Sequence, residues 1–175
     1  MPRISILGIG NVLTGDDGVG STVVRTLEAE YALPEDVELL DAGTPGLDLT
    51  AYITGRAAVI FVDAVKAQGA PGELRCYDKA ALLRKAPVLA MSPHEPGLRE
   101  ALMNAEFIGG SPPIATLVGV IPTGVAFGIG LSAPVRAAVP AAVDRVLEEL
   151  RALGVEPVRR VPPRTPDLWW EKPQG

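Results

Sequence analysis

Four side chains in this sequence have the chemistry to act on a substrate: the adjacent carboxylates Asp16 and Asp17, the carboxylate Asp63 and the imidazole of His94. Asp16-Asp17 closes a glycine-rich loop that follows the apolar run Ile4–Leu7 and precedes a helical pattern. Such a loop can cradle a phosphate or hold a metal. The phosphate reading is the weaker one. A dinucleotide loop wants a glycine where Leu13 stands, no Gly-Lys-Ser/Thr follows, and two aspartates repel a pyrophosphate. One aspartate is explained as the N-cap of the following helix, and the second calls for another role.

Asp63 ends the apolar run Ala57–Val62, where a carboxylate is costly to bury without a partner. Either backbone amides of a nearby turn supply that partner, or the carboxylate serves as a ligand. His94 is the sole histidine and lies in a proline-flanked loop, Ser92-Pro93-His94-Glu95-Pro96. It is a structural hydrogen-bonding group or, as positioned loops often carry sites, a functional one. If Asp17, Asp63 and His94 converge, they form a three-ligand site with open positions, suited to divalent transition metals, nickel included.

One histidine excludes a His-Glu-x-x-His zinc protease, and no Gly-x-Ser-x-Gly elbow marks a serine hydrolase. No activated Ser, Cys or Thr stands out as a nucleophile. Cys76, the only cysteine, forms no internal disulfide or Cys-rich zinc site and reads as a bystander on an edge strand.

The elements that must position these groups alternate between strand and helix. Residues 3–9, Val37–Asp41, Ala57–Val62, Gly72–Tyr77 and Ile114–Ile121 read as strands. Val19, Val23, Leu27 and Tyr31 form one face of a first helix, and Asp41–Gly46 is a turn before a short helix through Leu47, Leu49 and Ile53. Residues 79–85 and a segment opening at Pro96-Gly97 are further helices. The last, roughly 133–153, has Ser132 as N-cap and Pro140 as an expected kink or break. The predicted fold is α/β, with three layers and a twisted sheet. Open sheets of this kind bind ligands at the C-terminal ends of their strands.

With 175 residues, one domain is expected, spanning 1–155, followed by a proline-rich tail, 156–175, that is either an unstructured appendage or an arm docking Trp169 and Trp170. The tail shows no apolar periodicity and is expected to be dispensable for folding. A net charge of −5 argues against a nucleic-acid surface. The uncharged stretch between Glu106 and Arg136 is broken by prolines and glycines, so no membrane span is read there. No signal peptide is read at the N-terminus, and a cytoplasmic location is expected.

The run Gly8-x-Gly10-Asn11-x-Leu13-x-x-Asp16-Asp17-Gly18-x-Gly20 resembles that of the hydrogenase maturation proteases. Asp41-Ala42-Gly43-Thr44, Val62-Asp63-Ala64, Ser92-x-His94, Val118-Gly119-Val120-x-Pro122 and Leu131-Ser132 are similar to further family motifs, in the family's order, across about residues 4–153. Ala42 stands where the family usually has glycine, and Ile121 where a polar residue often precedes the proline.

The resemblance implies a mostly parallel, mixed sheet of about five strands inside the three-layer architecture. It implies an endopeptidase, of an aspartyl-type peptidase family, that removes the C-terminal extension of a nickel–iron hydrogenase large-subunit precursor. Carried over by position, Asp17, Asp63 and His94 become both the catalytic and the metal-recognising residues. They meet nickel supplied by the substrate, so the enzyme needs no tightly bound cofactor of its own, and a monomer is expected. Two other readings stand beside this one. One is a non-catalytic metal-sensing chaperone of the precursor, the other a different hydrolase on a similar sheet, such as a peptidyl-tRNA hydrolase; the acidic balance counts against the latter.

Overall fold

The strand β1, Ile4–Ile9, is buried along its whole length because it lies between two partners and under helices on both faces. That setting explains why all but Ser5 of its residues are apolar or glycine. A computed structural model describes residues 3–43, 49–84 and 95–173, and all that follows concerns those residues. Parallel to β1 run β3, Val37–Gly43, and β4, Ala58–Ala64, with Ile4 opposite Val37 on one side and Ala58 on the other. Next to β4 runs β6, Ile114–Val120, also parallel, and the antiparallel edge strand β5, Leu74–Asp78, completes the order β3-β1-β4-β6-β5. This is the mixed five-stranded sheet that the sequence implied.

Helices α1, Val19–Glu30, and α5, Ala133–Ala152, cover one face. Their stripes Val19, Val23, Leu27 and Val135, Val139, Val143, Val146, Leu150 meet Ile6, Ile60, Val62 and Val118 there. The short helices α2, Leu49–Ile53, and α3, Lys79–Leu83, lie with α4, Glu95–Phe107, on the other face, against Leu7, Ile9, Val59 and Phe61. Among the described residues no helix is long and apolar enough to cross a membrane. The uncharged stretch after Glu106 instead supplies the buried strand β6.

Several details differ from expectation. Tyr31 does not extend α1, which ends at Glu30; it opens a two-residue strand, β2, Tyr31–Ala32, paired with β7, Val158–Arg159. β3 and β4 each run two residues further than predicted, so Asp63 sits inside its strand, opposite Gly119. Pro140 leaves α5 unbroken. It lies on the exposed side of the helix, where the carbonyl that loses its amide partner faces water.

Of the two readings of the tail, the structure shows the docked arm. Arg160 and Arg164 donate backbone bonds to Glu30 and Ala29 (2.7 and 2.9 Å), Glu171 accepts from Arg136 at 2.6 Å, and Trp170 is buried. The tail shows no helical or strand periodicity because the arm is held by backbone bonds and one aromatic anchor.

Candidate functional site

The first helix reaches the sheet through glycine. A Cβ on Gly20 would run into the carbonyl oxygens of Val62 and Ile9, and one on Gly8 would lie 2.6 Å from the Gly20 oxygen. Gly20 therefore lets the first turn of α1 rest on the backbone at the ends of β1 and β4. Gly10, with φ +123°, closes against the backbone oxygen of Asp17 and lies so that a Cβ there would be 3.3 Å from Asp17 Oδ1. The glycines of the loop are thus packing glycines, not a phosphate cradle.

Asp17 lies in a single 3-10 turn, Gly15–Gly18, and is buried. Its Oδ2 accepts the Asn11 amide at 2.8 Å and the Thr14 hydroxyl at 3.4 Å. Asp63 is likewise buried, and its Oδ1 accepts the amide of Ala64 at 2.8 Å. β1 and β4 are neighbours in register, Gly8 opposite Val62; Asp63 follows Val62 in β4, and the turn bearing Asp17 backs onto Gly10, just past the end of β1. Strand order also reverses around β1, since β3 pairs on one side and β4 on the other; ligands bind at such switch points. His94 lies outside the described residues. Among those described, no group of three His, Cys, Asp or Glu side chains is arranged to hold a metal.

Asp16 has a role that the sequence did not reveal. Neither it nor Asp17 caps α1, whose N-cap is Gly18 with no side-chain bond. The Asp16 carboxylate instead reaches across the chain. Oδ1 accepts the Ser132 amide at 2.7 Å, and Oδ2 accepts the Ser132 hydroxyl and the Thr123 amide, both at 2.8 Å. Ser132 is the N-cap of α5 as predicted, but its hydroxyl serves Asp16 rather than its own helix. The adjacent aspartates therefore divide the work: Asp16 ties the loop to the start of α5, and Asp17 accepts bonds from Asn11 and Thr14 of its own loop.

Beside the loop opens a groove of about 380 Å³, bordered by Asn11, Val12, Arg25, Asp41, Gly43 and Trp169, among others. Asp41 accepts the Ser21 hydroxyl at 2.6 Å and pairs with Arg25 at 3.4 Å, so the end of β3 is fixed to α1. Cys76 stands on the antiparallel edge strand β5, away from this groove. Desolvation pushes its thiol up, against the opposing pull of Arg145, which keeps it from being a ready thiolate.

Comparison with known proteins places this geometry. The family model described as hydrogenase maturation protease matches residues 21–149. The hydrogenase 2 maturation protease of Escherichia coli K12 is 40% identical over 164 residues, covering 90% of this chain and 96% of that protein. The solved structure of the hydrogenase maturating endopeptidase HybD from E. coli superposes with a TM-score of 0.83 at 38% identity, covering 91% of this chain and 99% of that one. The [NiFe] hydrogenase maturation protease HybD from Thermococcus kodakarensis gives 0.67 at 25% identity, over 85% and 98%. On the family match, the identity and the superposition together, this chain belongs to the hydrogenase maturation protease family and is a peptidase.

Proposed function

We propose that this peptidase removes the C-terminal extension of a nickel-loaded hydrogenase large-subunit precursor, with Asp17, Asp63 and His94 contacting the nickel. The observation that carries the reading is the pair of buried carboxylates, Asp17 and Asp63, delivered to one edge of neighbouring strands. Buried carboxylates need a cationic or hydrogen-bonding partner, and hard oxygen donors beside an imidazole suit a divalent transition metal. The nickel arrives with the substrate, held by the substrate's own cysteines, and the enzyme adds the remaining contacts. It fixes which bond lies at the site, and a cation there polarises a carbonyl or activates a water.

The acting unit in this proposal is a cytoplasmic monomer with no tightly bound metal of its own, residues 1–155 forming the domain and 156–175 its arm. The test is to incubate the protein with nickel-loaded precursor and weigh the products. Loss of the C-terminal extension is expected. A stable complex with an intact precursor would replace the endopeptidase by a metal-sensing chaperone.

A further inference from the structure

The loops around the candidate site leave large apolar side chains in water. Leu13, Phe127, Ile129 and Trp169 are 41, 86, 58 and 54% exposed. They come from three segments far apart in sequence, yet each segment is fixed. Residues 11–15 and 124–131 are laced together: Thr14 bridges Gly128, Gly128 donates to the Leu13 oxygen at 2.9 Å, and Gly15 donates to the Gly128 oxygen at 2.8 Å. Asp16 closes the same pair of loops at Thr123 and Ser132. The third segment borders the groove through Trp169, which packs edge-on against the buried Trp170 with ring centroids 5.6 Å apart. Glu171, two residues on, is tied to Arg136. Exposed apolar groups on backbone already bonded in place lose little further freedom on binding, which favours recognition.

The occupant follows from position and charge. The loop bearing Leu13 also bears Asp17, so on the endopeptidase reading a folded substrate brought to Asp17 lies against this rim. The chain carries a net charge of −5, but residues 124–131 contain no charged group at all. A surface without charge, rimmed by aromatic and aliphatic side chains, matches the apolar centre of a protein–protein interface. We infer that Leu13, Phe127, Ile129 and Trp169 form the surface on which the folded precursor docks, supplying binding rather than chemistry. This rests on the endopeptidase reading proposed above.

Phe107 provides the internal control. It is 92% exposed, but it lies at the far end of α4, near Gly110, whose oxygen accepts the amide of Gly55 ahead of β4. That is the edge where the strands begin, opposite the site. The experiment compares Phe127→Ser, Trp169→Ala and Phe107→Ser, all checked for wild-type circular dichroism. Cleavage of nickel-loaded precursor is followed by mass, and precursor affinity by calorimetry. Phe127→Ser and Trp169→Ala should each raise KM and Kd about tenfold with kcat changed less than about twofold, as for apolar anchors at an interface. Phe107→Ser should match the wild type.

Unchanged KM and Kd in Phe127→Ser, or an equal rise in Phe107→Ser, would overturn the docking surface. So would sedimentation showing that Phe127 holds two copies of this chain together. Wild-type protein that binds precursor without cutting it would sink the endopeptidase reading instead. The docking surface would then stand or fall on the affinities of the variants alone.

Discussion

Asp16 holds Ser132 by both its amide and its hydroxyl, at 2.7 and 2.8 Å, across 116 positions of sequence. The loop that bears Asp17 is thereby fastened to the start of the last helix. Replacing Asp16 by Ala removes a buried acceptor from two amides and a hydroxyl. The loss should be about 2–4 kcal/mol of stability, since bonds to charged groups count for more than neutral ones. Urea unfolding measures it; a midpoint equal to the wild type would show the tie to be dispensable.

Gly20→Ala should cost about 3 kcal/mol or more, because the new methyl meets the backbone oxygens of Val62 and Ile9 rather than a side chain that can turn aside. Gly97, where a Cβ meets nothing within 4 Å, is the comparison, and Gly97→Ala should leave the urea midpoint near that of the wild type.

Asp17→Asn and Asp63→Asn should abolish processing while lowering stability by no more than about 1–2 kcal/mol. Asn keeps the oxygen that accepts the Asn11 or Ala64 amide but loses the charge that binds a cation. Activity by product mass, paired with thermal melting, separates the two effects. His94→Ala belongs in the same series. Metal-stripped enzyme should still cut nickel-loaded precursor and leave nickel-free precursor whole; equal cleavage of both would turn the three residues into ordinary acid–base groups.

Truncation after Glu156 should lower stability by about 2–4 kcal/mol, since it uncovers the site of a buried tryptophan and removes the backbone bonds from Arg160 and Arg164. Differential scanning calorimetry of the full and shortened chains decides the point, and equal melting temperatures would return the tail to the status of an appendage.

Cys76→Ser should process precursor as the wild type does. Because burial raises the thiol, Cys76 is protonated at neutral pH. Its alkylation by iodoacetamide should therefore be slow there and accelerate only above the ordinary thiol range. Rapid alkylation at neutral pH would contradict this placement.

Much of this fold is legible in the sequence because its central strands are buried on both faces. Residues 3–9 and Ala57–Val62 read as strands rich in apolar side chains, and the stripes of α1 and α5 repeat at helical spacing. Asp63 stands out for the same reason, as a charge where such a run ends, and Asp17 as the second of two adjacent carboxylates closing the loop after β1. Less legible were relations set by distant parts of the chain. Nothing in Asp16-Asp17 says which carboxylate turns back to its own loop and which crosses to Ser132, since the choice is made by where α5 begins. The arm was hidden because proline-rich backbone docks through individual bonds, as Arg160 does on Glu30, and these leave no periodic trace.

The tie between Asp16 and Ser132 also fixes when the site can exist. As the chain is synthesised, β1, α1 and β4 can gather early, but the loop bearing Asp17 gains its long-range ties only as Thr123, Gly128 and finally Ser132 leave the ribosome. Closing so long a stretch of chain carries an entropic cost that only the docked last helix repays. The loop that bears Asp17 therefore leaves the ribosome without its long-range ties, which need the segment from Thr123 to Ser132 to have followed. An N-terminal fragment, or a chain stalled short of α5, would carry Asp17 and Asp63 in the right order and lack the bonds to Ser132 that fasten the Asp17 loop.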